Sequence, residues 1–309
     1  MSYHIIDIST NNVSLSVKDG QLICRNPDDG IRKLPMEDVG AILINCFSAQ
    51  LHSSFLIESA KNKIAVILCE RFRPVSMVLP VQRSSDTILT RAQIQAPVKL
   101  LRTMWGMTVD AKCVNQYELV SRLCPDEGIA LSDFRISMNA DTVCKEGNCA
   151  RLYWNLFSKA LEIKGFRRLT QGDGLNGLLN YGYAVLMLRI EQKLLGCGLD
   201  PLYGMGHVPR ERSLPLAYDI MEPFRPVVDE LIYKWVRDMG GAEEAFRVER
   251  PYKSMIQGLM DSRYACRTAE SISLDKIIEL TIRSYREALT SGKSSRYRPW
   301  IRRSSRWDG

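Results

Sequence analysis

Val13-Ser14-Leu15-Ser16-Val17-Lys18-Asp19-Gly20-Gln21-Leu22-Ile23-Cys24-Arg25 decides how the first eighty residues are read. Its apolar residues fall on alternate positions, as in a strand with one buried face, and Asp19-Gly20 supplies a tight reversal before a second extended run. Working outward, Asp28-Asp29-Gly30 marks another turn, and Val39–Ile44, Ile64–Cys69 and Val75–Leu79 read as further strands. The middle one is apolar throughout, the pattern of a strand buried on both faces. His4 falls in a first strand, and His52–Lys61 reads as a short helix.

Beyond Pro80 the apolar spacing becomes helical, and Val81–Asp86 reads as a linker. Helices are predicted over Asp86–Met104, Val114–Leu123, Lys145–Lys164, Asp173–Leu195, Ser213–Asp238, Tyr252–Asp261 and Ser273–Leu289. Ser213 before Leu214-Pro215 is a start signal, and Gly240-Gly241 is a stop. The fold class is therefore α+β. A small β-rich domain (1–80) and a linker (81–86) precede a larger helical domain (87–290) and a tail (291–309). The apolar segment Leu175–Gly196 is broken by Asn176, Asn180, Arg189 and Glu191, so it reads as a core helix and no membrane span is expected.

Charge is unevenly placed. The net charge is +7, yet residues 1–80 hold eight basic and eight acidic side chains, so the excess lies elsewhere. Lys293, Arg296, Arg298, Arg302, Arg303 and Arg306 fill the tail without an acid before Asp308, interleaved with Tyr297, Trp300 and Trp307. Such a tail suits phosphate binding with base stacking, or is a flexible solubilising end. Nine cysteines without a CxxC pair, several in apolar runs, favour reduced thiols in a cytoplasm over a disulfide scaffold or a zinc ribbon. No basic start and apolar stretch of a signal peptide opens the chain.

Of the three histidines, His4 and His52 lie in predicted elements, whereas His207 lies in the loop Tyr203-Gly204-Met205-Gly206-His207-Val208-Pro209. Downstream, Asp219 and Glu222 stand three apart, on one helix face if the helix is regular. Acidic pairs of this kind are ordinarily solvated. A cation between them would relieve their repulsion, and carboxylates with one imidazole suit Mg²⁺ or Mn²⁺. Glu146, near a predicted helix start, either complements the helix dipole or belongs to a site, since Ala150, Tyr153 and Phe157 share its face.

Taken in order, several fragments resemble the CRISPR-associated adaptation integrase, the universal spacer-acquisition nuclease of CRISPR systems. They are Arg91-Ala92-Gln93 with Trp105, Ala111-Lys112 and Asn115-Gln116; Glu146-Gly147 through Ala150-Arg151 and Tyr153-Trp154; and Phe166-Arg167-Arg168 with Asp173-Gly174 and Asn176 through Tyr183. Gly206-His207 and Asp219-Ile220-Met221-Glu222-Pro223-Phe224-Arg225 complete the set. The resemblance covers nearly the whole chain, and the form of the last motif is similar to type II members.

What the resemblance implies is a β-sandwich dimerisation domain joined to an all-α catalytic domain. It implies that Glu146, His207 and Glu222 bind a catalytic Mg²⁺ or Mn²⁺, with Asp219 an accessory acid and first candidate to accept the proton of the attacking hydroxyl. Many relatives carry aspartate where Glu222 stands, which leaves the division of labour between Asp219 and Glu222 open.

The implied reaction joins the 3′-hydroxyl ends of short double-stranded DNA fragments with 3′ overhangs to CRISPR repeat DNA. The implied assembly is two integrase dimers flanking a dimer of a small ferredoxin-like adaptation protein. Arg167, Arg168, Arg210, Arg212 and Arg225 are candidate phosphate contacts or surface ion-pair partners. Tyr203 and Tyr181 are candidates for base stacking or core packing, and Asn176 and Asn180 for orienting the ligands or bonding helix to helix.

Overall fold

The computed structural model describes residues 4–27, 30–62, 64–70, 73–78, 84–139, 142–169, 174–208, 214–247, 258–259, 262–264 and 271–302. Arg210, Arg212, Arg303, Arg306, Trp307 and most of the predicted helix Tyr252–Asp261 lie outside the described residues, as does part of the predicted linker.

The opening stretch forms β2 (Val13–Lys18) and β3 (Gln21–Asn26), antiparallel with Lys18 opposite Gln21. Asp19 and Gly20 both adopt positive φ, 51° and 70°, the backbone a two-residue hairpin needs to follow the strand twist. With β4 (Gly30–Pro35) and β6 (Ala49–Leu51) they make a sheet of order β4-β3-β2-β6. A second sheet has the order β1-β5-β7-β8, from β1 (His4–Ile8), β5 (Val39–Ile44), β7 (Ala65–Glu70) and β8 (Arg73–Val78). Its first three strands are parallel, and the helix α1 (Ser53–Lys61) lies between β6 and β7 in the chain.

The two sheets face each other across Val13, Leu15, Leu22, Ile42, Ile44 and Val66, with Phe55 of α1 closing that core. The intervening residues Leu43, Ile67 and Cys69 face the other way and pack against Leu195 of the helical region. Burial on both faces explains why β5 and β7 read as unbroken apolar runs.

The helical region comprises α2 (Ser84–Ile94), α3 (Val98–Leu123), α4 (Gly128–Ser137), α5 (Thr142–Ala160), α6 (Gly174–Gly196), α7 (Pro215–Met221), α8 (Arg225–Asp238), α9 (Ala242–Arg247) and α10 (Leu274–Ser291). These helices share one large core. No helix among the described residues is long and apolar enough to cross a membrane.

Several predicted boundaries shift, two of them at prolines. The helix expected over Asp86–Met104 ends at Ile94 because Pro97 cannot donate to a preceding turn. From there α3 runs unbroken through the expected gap to Leu123. The helix expected over Ser213–Asp238 is interrupted at Glu222–Phe224 by a tighter turn, where Pro223 again removes a donor. α4 was not expected.

The tail departs most. Its segment through Arg302 is not a free end, because Tyr297 and Trp300 are 1% and 2% exposed within the helical core. The sheets and helices meet at a buried ionic knot. Arg189 of α6 donates to Asp7 of β1 at 2.6 Å and to Asp275 of α10 at 2.5 Å, while Gln192 donates to Asn45 at 2.7 Å.

Candidate active site

The centre of α3 carries a lysine inside an otherwise packed stretch. Val109, Ala111, Cys113 and Asn115 are buried around Lys112, whose side chain is 12% exposed. A buried ammonium requires anions, and two carboxylates meet it. Nζ lies 2.7 Å from Oε1 of Glu146 on α5 and 2.6 Å from Oε2 of Glu222 on the turn after α7. Burial alone would lower the Lys112 pKa, but Glu222 and Glu146 together outweigh it and raise it. Burial likewise works against the charge on Glu222, yet Arg225 and Lys112 pull its pKa down to about 2.

The Gly-rich loop is built around Asp219. This carboxylate is fully buried on α7 and accepts from the backbone N–H groups of Met205, Gly206 (3.0 Å) and His207 (3.0 Å). A fourth donor is the His207 ring, whose Nδ1 lies 2.6 Å from Oδ1. Because an ionised carboxylate only accepts, Nδ1 carries the shared proton and Nε2 is the free end of the ring. The hydrogen bond to Asp219, opposed by burial and reinforced by the charges of Asp219 and Glu222, raises the His207 pKa.

Glycine is required twice here by close approach. A Cβ on Gly204 would stand 2.7 Å from Cβ of Pro215 and 2.8 Å from Oδ2 of Asp219, and one on Gly206 would run into the Trp105 indole. The same indole meets the His207 ring edge-on at 5.4 Å between centroids.

Asp219 and Glu222 therefore serve different neighbours. With about four acceptor positions and four donors, Asp219 is saturated. It holds the loop and ring, which does not fit the expected role of accepting a substrate proton. Glu222 faces Lys112 and Arg225, whose Nη2 is 2.9 Å from its Oε1. Behind it, Arg225 lies over the Tyr183 ring at 4.6 Å, and the Tyr183 hydroxyl donates to Asp229 at 2.5 Å. Asp229, fully buried, also accepts from Tyr153 at 2.5 Å.

Whether these residues fit a divalent ion is tested by one atom. Oε2 of Glu222 is buried and is met by the ammonium of Lys112, with Nζ 2.6 Å away. A buried carboxylate oxygen held by a cation, a second carboxylate drawn to the same cation and an imidazole with its far nitrogen free form a hard oxygen and nitrogen donor set, and it fits. Among the described residues, however, no three His, Cys, Asp or Glu side chains stand close enough to hold an ion as they lie. The position between Glu146 and Glu222 belongs to the lysine ammonium.

The other expected residues separate. Arg168 donates to Oδ1 of Asn176 at 3.0 Å and of Asn180 at 2.6 Å, so the two asparagines hold an arginine. Arg167 is exposed. Arg225 serves Glu222 rather than solvent, Tyr203 is 41% exposed, and Tyr181 packs against the core. Lys112, Trp105 and Asp229 were not singled out as site residues beforehand. The signal for Lys112 was a lysine set between the apolar residues Ala111 and Cys113, both buried.

Residues 6–256 match the family described as "CRISPR associated protein Cas1". A "CRISPR-associated endonuclease Cas1 1" from Pyrobaculum aerophilum is 28% identical over 239 residues, covering 72% of this chain and 78% of that one. Among solved structures, "Casposase bound to integration product" superposes with a TM-score of 0.72 at 20% identity, covering 95% of this chain and 96% of that one. "Partial Cas6-RT-Cas1--Cas2 complex" gives 0.73 at 16% identity over 97% and 99%. At such identities the structural likeness concerns the fold, which is a β-sandwich followed by a helical region.

Proposed function

The chain belongs to the Cas1 family, and from that premise we propose that it is a metal-dependent DNA integrase and endonuclease of CRISPR adaptation. It joins the 3′-hydroxyl ends of short duplex fragments to CRISPR repeat DNA by transesterification at phosphorus. The observation that carries the reading is the convergence of Glu146 and the buried Oε2 of Glu222 on one cation position, beside a histidine whose ring is aimed by a buried aspartate.

In this reading Glu146, Glu222 and Nε2 of His207 hold Mg²⁺ or Mn²⁺. When bound, that ion supplies Lewis acidity toward the phosphoryl oxygen and a template for the attacking and leaving oxygens. Asp219 occupies Nδ1, which leaves Nε2 as the ring nitrogen available to a ligand, as carboxylates behind ligating histidines do. Arg225 neutralises the Oε1 side of Glu222. Without the ion, Lys112 compensates the buried Glu222 and the partly exposed Glu146.

Exposed Arg167, with Arg168, Arg210 and Arg212, contributes phosphate contacts, and Tyr203 a stacking surface. Assembly belongs to the same proposal: a homodimer through the sandwich, two such dimers with a small ferredoxin-like partner. Edge strand β8, with Val75 59% and Met77 38% exposed, supports pairing there.

The test incubates the full chain and its small partner with a fluorescent 3′-hydroxyl duplex and a supercoiled repeat plasmid, in Mn²⁺ or EDTA. Covalent joining in Mn²⁺ alone, lost in Glu146→Ala and His207→Ala, is expected. Label released only as short fragments would indicate a nuclease using water. Binding without covalent change would indicate a non-catalytic scaffold.

A further inference from the structure

The segment Tyr297–Arg302 lies beyond the residues matched by the family, and it runs across the helical core as a strap. Its contacts are specific. The Tyr297 hydroxyl bonds Oγ1 of Thr108 on α3 at 2.9 Å, and the Arg298 N–H donates to Oγ of Ser284 on α10 at 3.0 Å. The Trp300 indole stacks on Phe224, with centroids 5.3 Å apart and planes 8° from parallel. Arg302 closes the strap with two hydrogen bonds to Glu230, at 2.5 and 3.2 Å.

Two of these anchors reach the turn that carries Glu222. Phe224, under the indole, is the last residue of that turn. Pro223, its middle residue, presents its carbonyl to Nδ2 of Asn115 at 2.7 Å. The same Nδ2 donates to the Trp300 carbonyl at 3.0 Å, while Oδ1 of Asn115 accepts from the Arg302 N–H at 2.7 Å. Asn115 is 1% exposed, and both its donor and acceptor ends are used.

Asn115 stands three residues beyond Lys112 on α3, so both side chains leave the helix on neighbouring sides. One reaches the Glu222 carboxylate and the other the backbone one residue later. The turn is a short 3-10 segment with Pro223 inside it and Pro226 just beyond it; neither proline has an N–H to donate, and the turn's own backbone bond runs from the Arg225 N–H to the Glu222 carbonyl. The remaining anchors of the turn come from outside it.

We propose that the Tyr297–Arg302 strap, acting through Trp300 and Asn115, is a positioning device for Glu222. It sets the Glu222 carboxylate against Lys112 and the cation position. Trp300 and Asn115 are positioning residues; neither touches the carboxylates or the substrate. This rests on the function proposed above, with one readout independent of it.

The experiment uses the full chain with Trp300→Leu, which keeps burial and removes stacking, Asn115→Leu, which removes the amide clip, and Trp300→Phe as the conservative variant. Hydrogen exchange in EDTA needs no activity. The strap account expects amides of Asp219–Arg225 to exchange at least tenfold faster in the two Leu variants, with the sandwich strands unchanged. Joining assays should show kcat reduced at least tenfold with KM for the fragment within twofold. Mn²⁺ affinity, read from the signal of the free ion, should weaken by about 10-fold or more, the usual effect of losing an outer support. Trp300→Phe should restore most of each.

Unchanged exchange at Asp219–Arg225, or faster exchange there with kcat and Mn²⁺ affinity intact, would overturn the proposal. Wild-type protein that neither joins DNA nor binds Mn²⁺ would overturn the proposed function instead, and the exchange data would still judge the strap.

Discussion

Replacing Lys112 by Met removes the cation shared by Glu146 and Glu222 while keeping most of the side-chain volume. The Glu222 contact is the costly one to break, since Glu222 is 4% and Lys112 12% exposed, with Nζ 2.6 Å from Oε2. Leaving one partner of a buried pair uncompensated costs about 3–5 kcal/mol. Arg225 remains on Oε1 at 2.9 Å, which argues for the lower end. Glu146 is 35% exposed and water can replace its contact, so that side adds at most about 1 kcal/mol.

In EDTA, then, Lys112→Met should lose about 3 kcal/mol in urea unfolding. Saturating Mn²⁺ should return much of it, because an ion at about 100 times its Kd contributes about 2.7 kcal/mol and no ammonium now competes for the glutamates. The wild type should gain less from the same addition. A variant as stable as wild type in EDTA, or one that Mn²⁺ stabilises no more than wild type, would refute the idea that lysine and divalent ion share one position.

Other perturbations probe separate parts of the account. Burial pushes Asp229 up to about 6, so the folded protein keeps a proton that the unfolded chain releases from about pH 4. Stability should therefore fall by about 3 kcal/mol as pH rises through that window, and Asp229→Asn should flatten this fall in urea titrations between pH 4 and 7. Gly206→Ala drives a methyl into the Trp105 ring and should cost about 1–3 kcal/mol in thermal unfolding, with a larger loss of DNA joining because His207 is the next residue. Arg189→Met leaves Asp7 and Asp275 without their shared guanidinium, although Asn45 and Lys193 remain near them. A loss of about 3 kcal/mol is expected in urea unfolding.

Much of the fold was legible because period two and helical period occupy separate parts of the chain. The Asp19-Gly20 turn and the apolar runs of β5 and β7 are local signals with local causes. Parallel pairing of β1, β5 and β7 was not legible, since no single strand records its neighbour's direction. Prolines were under-read: Pro97 and Pro223 each override a continuous helical pattern. The tail misled for another reason. Its basic residues suggested solvent, whereas the aromatic residues between them, Tyr297 and Trp300, are what pack.

At the candidate site, the types of residue were readable but their partners were not. Glu146 and Glu222 do meet, through Lys112, which lies 34 residues from Glu146 in sequence. Asp219 looked like a second active carboxylate, yet only the folded loop shows four donors already upon it. Spacing gives the face a residue occupies; what stands opposite comes from tertiary structure.

The most direct measurement is the location of Mn²⁺ by anomalous scattering in crystals of the protein bound to a fragment end. One ion within bonding distance of Glu146, Glu222 and Nε2 of His207, with Nζ of Lys112 moved aside, is the predicted result. An ion held elsewhere, with Lys112 still bridging the two glutamates, would contradict the account.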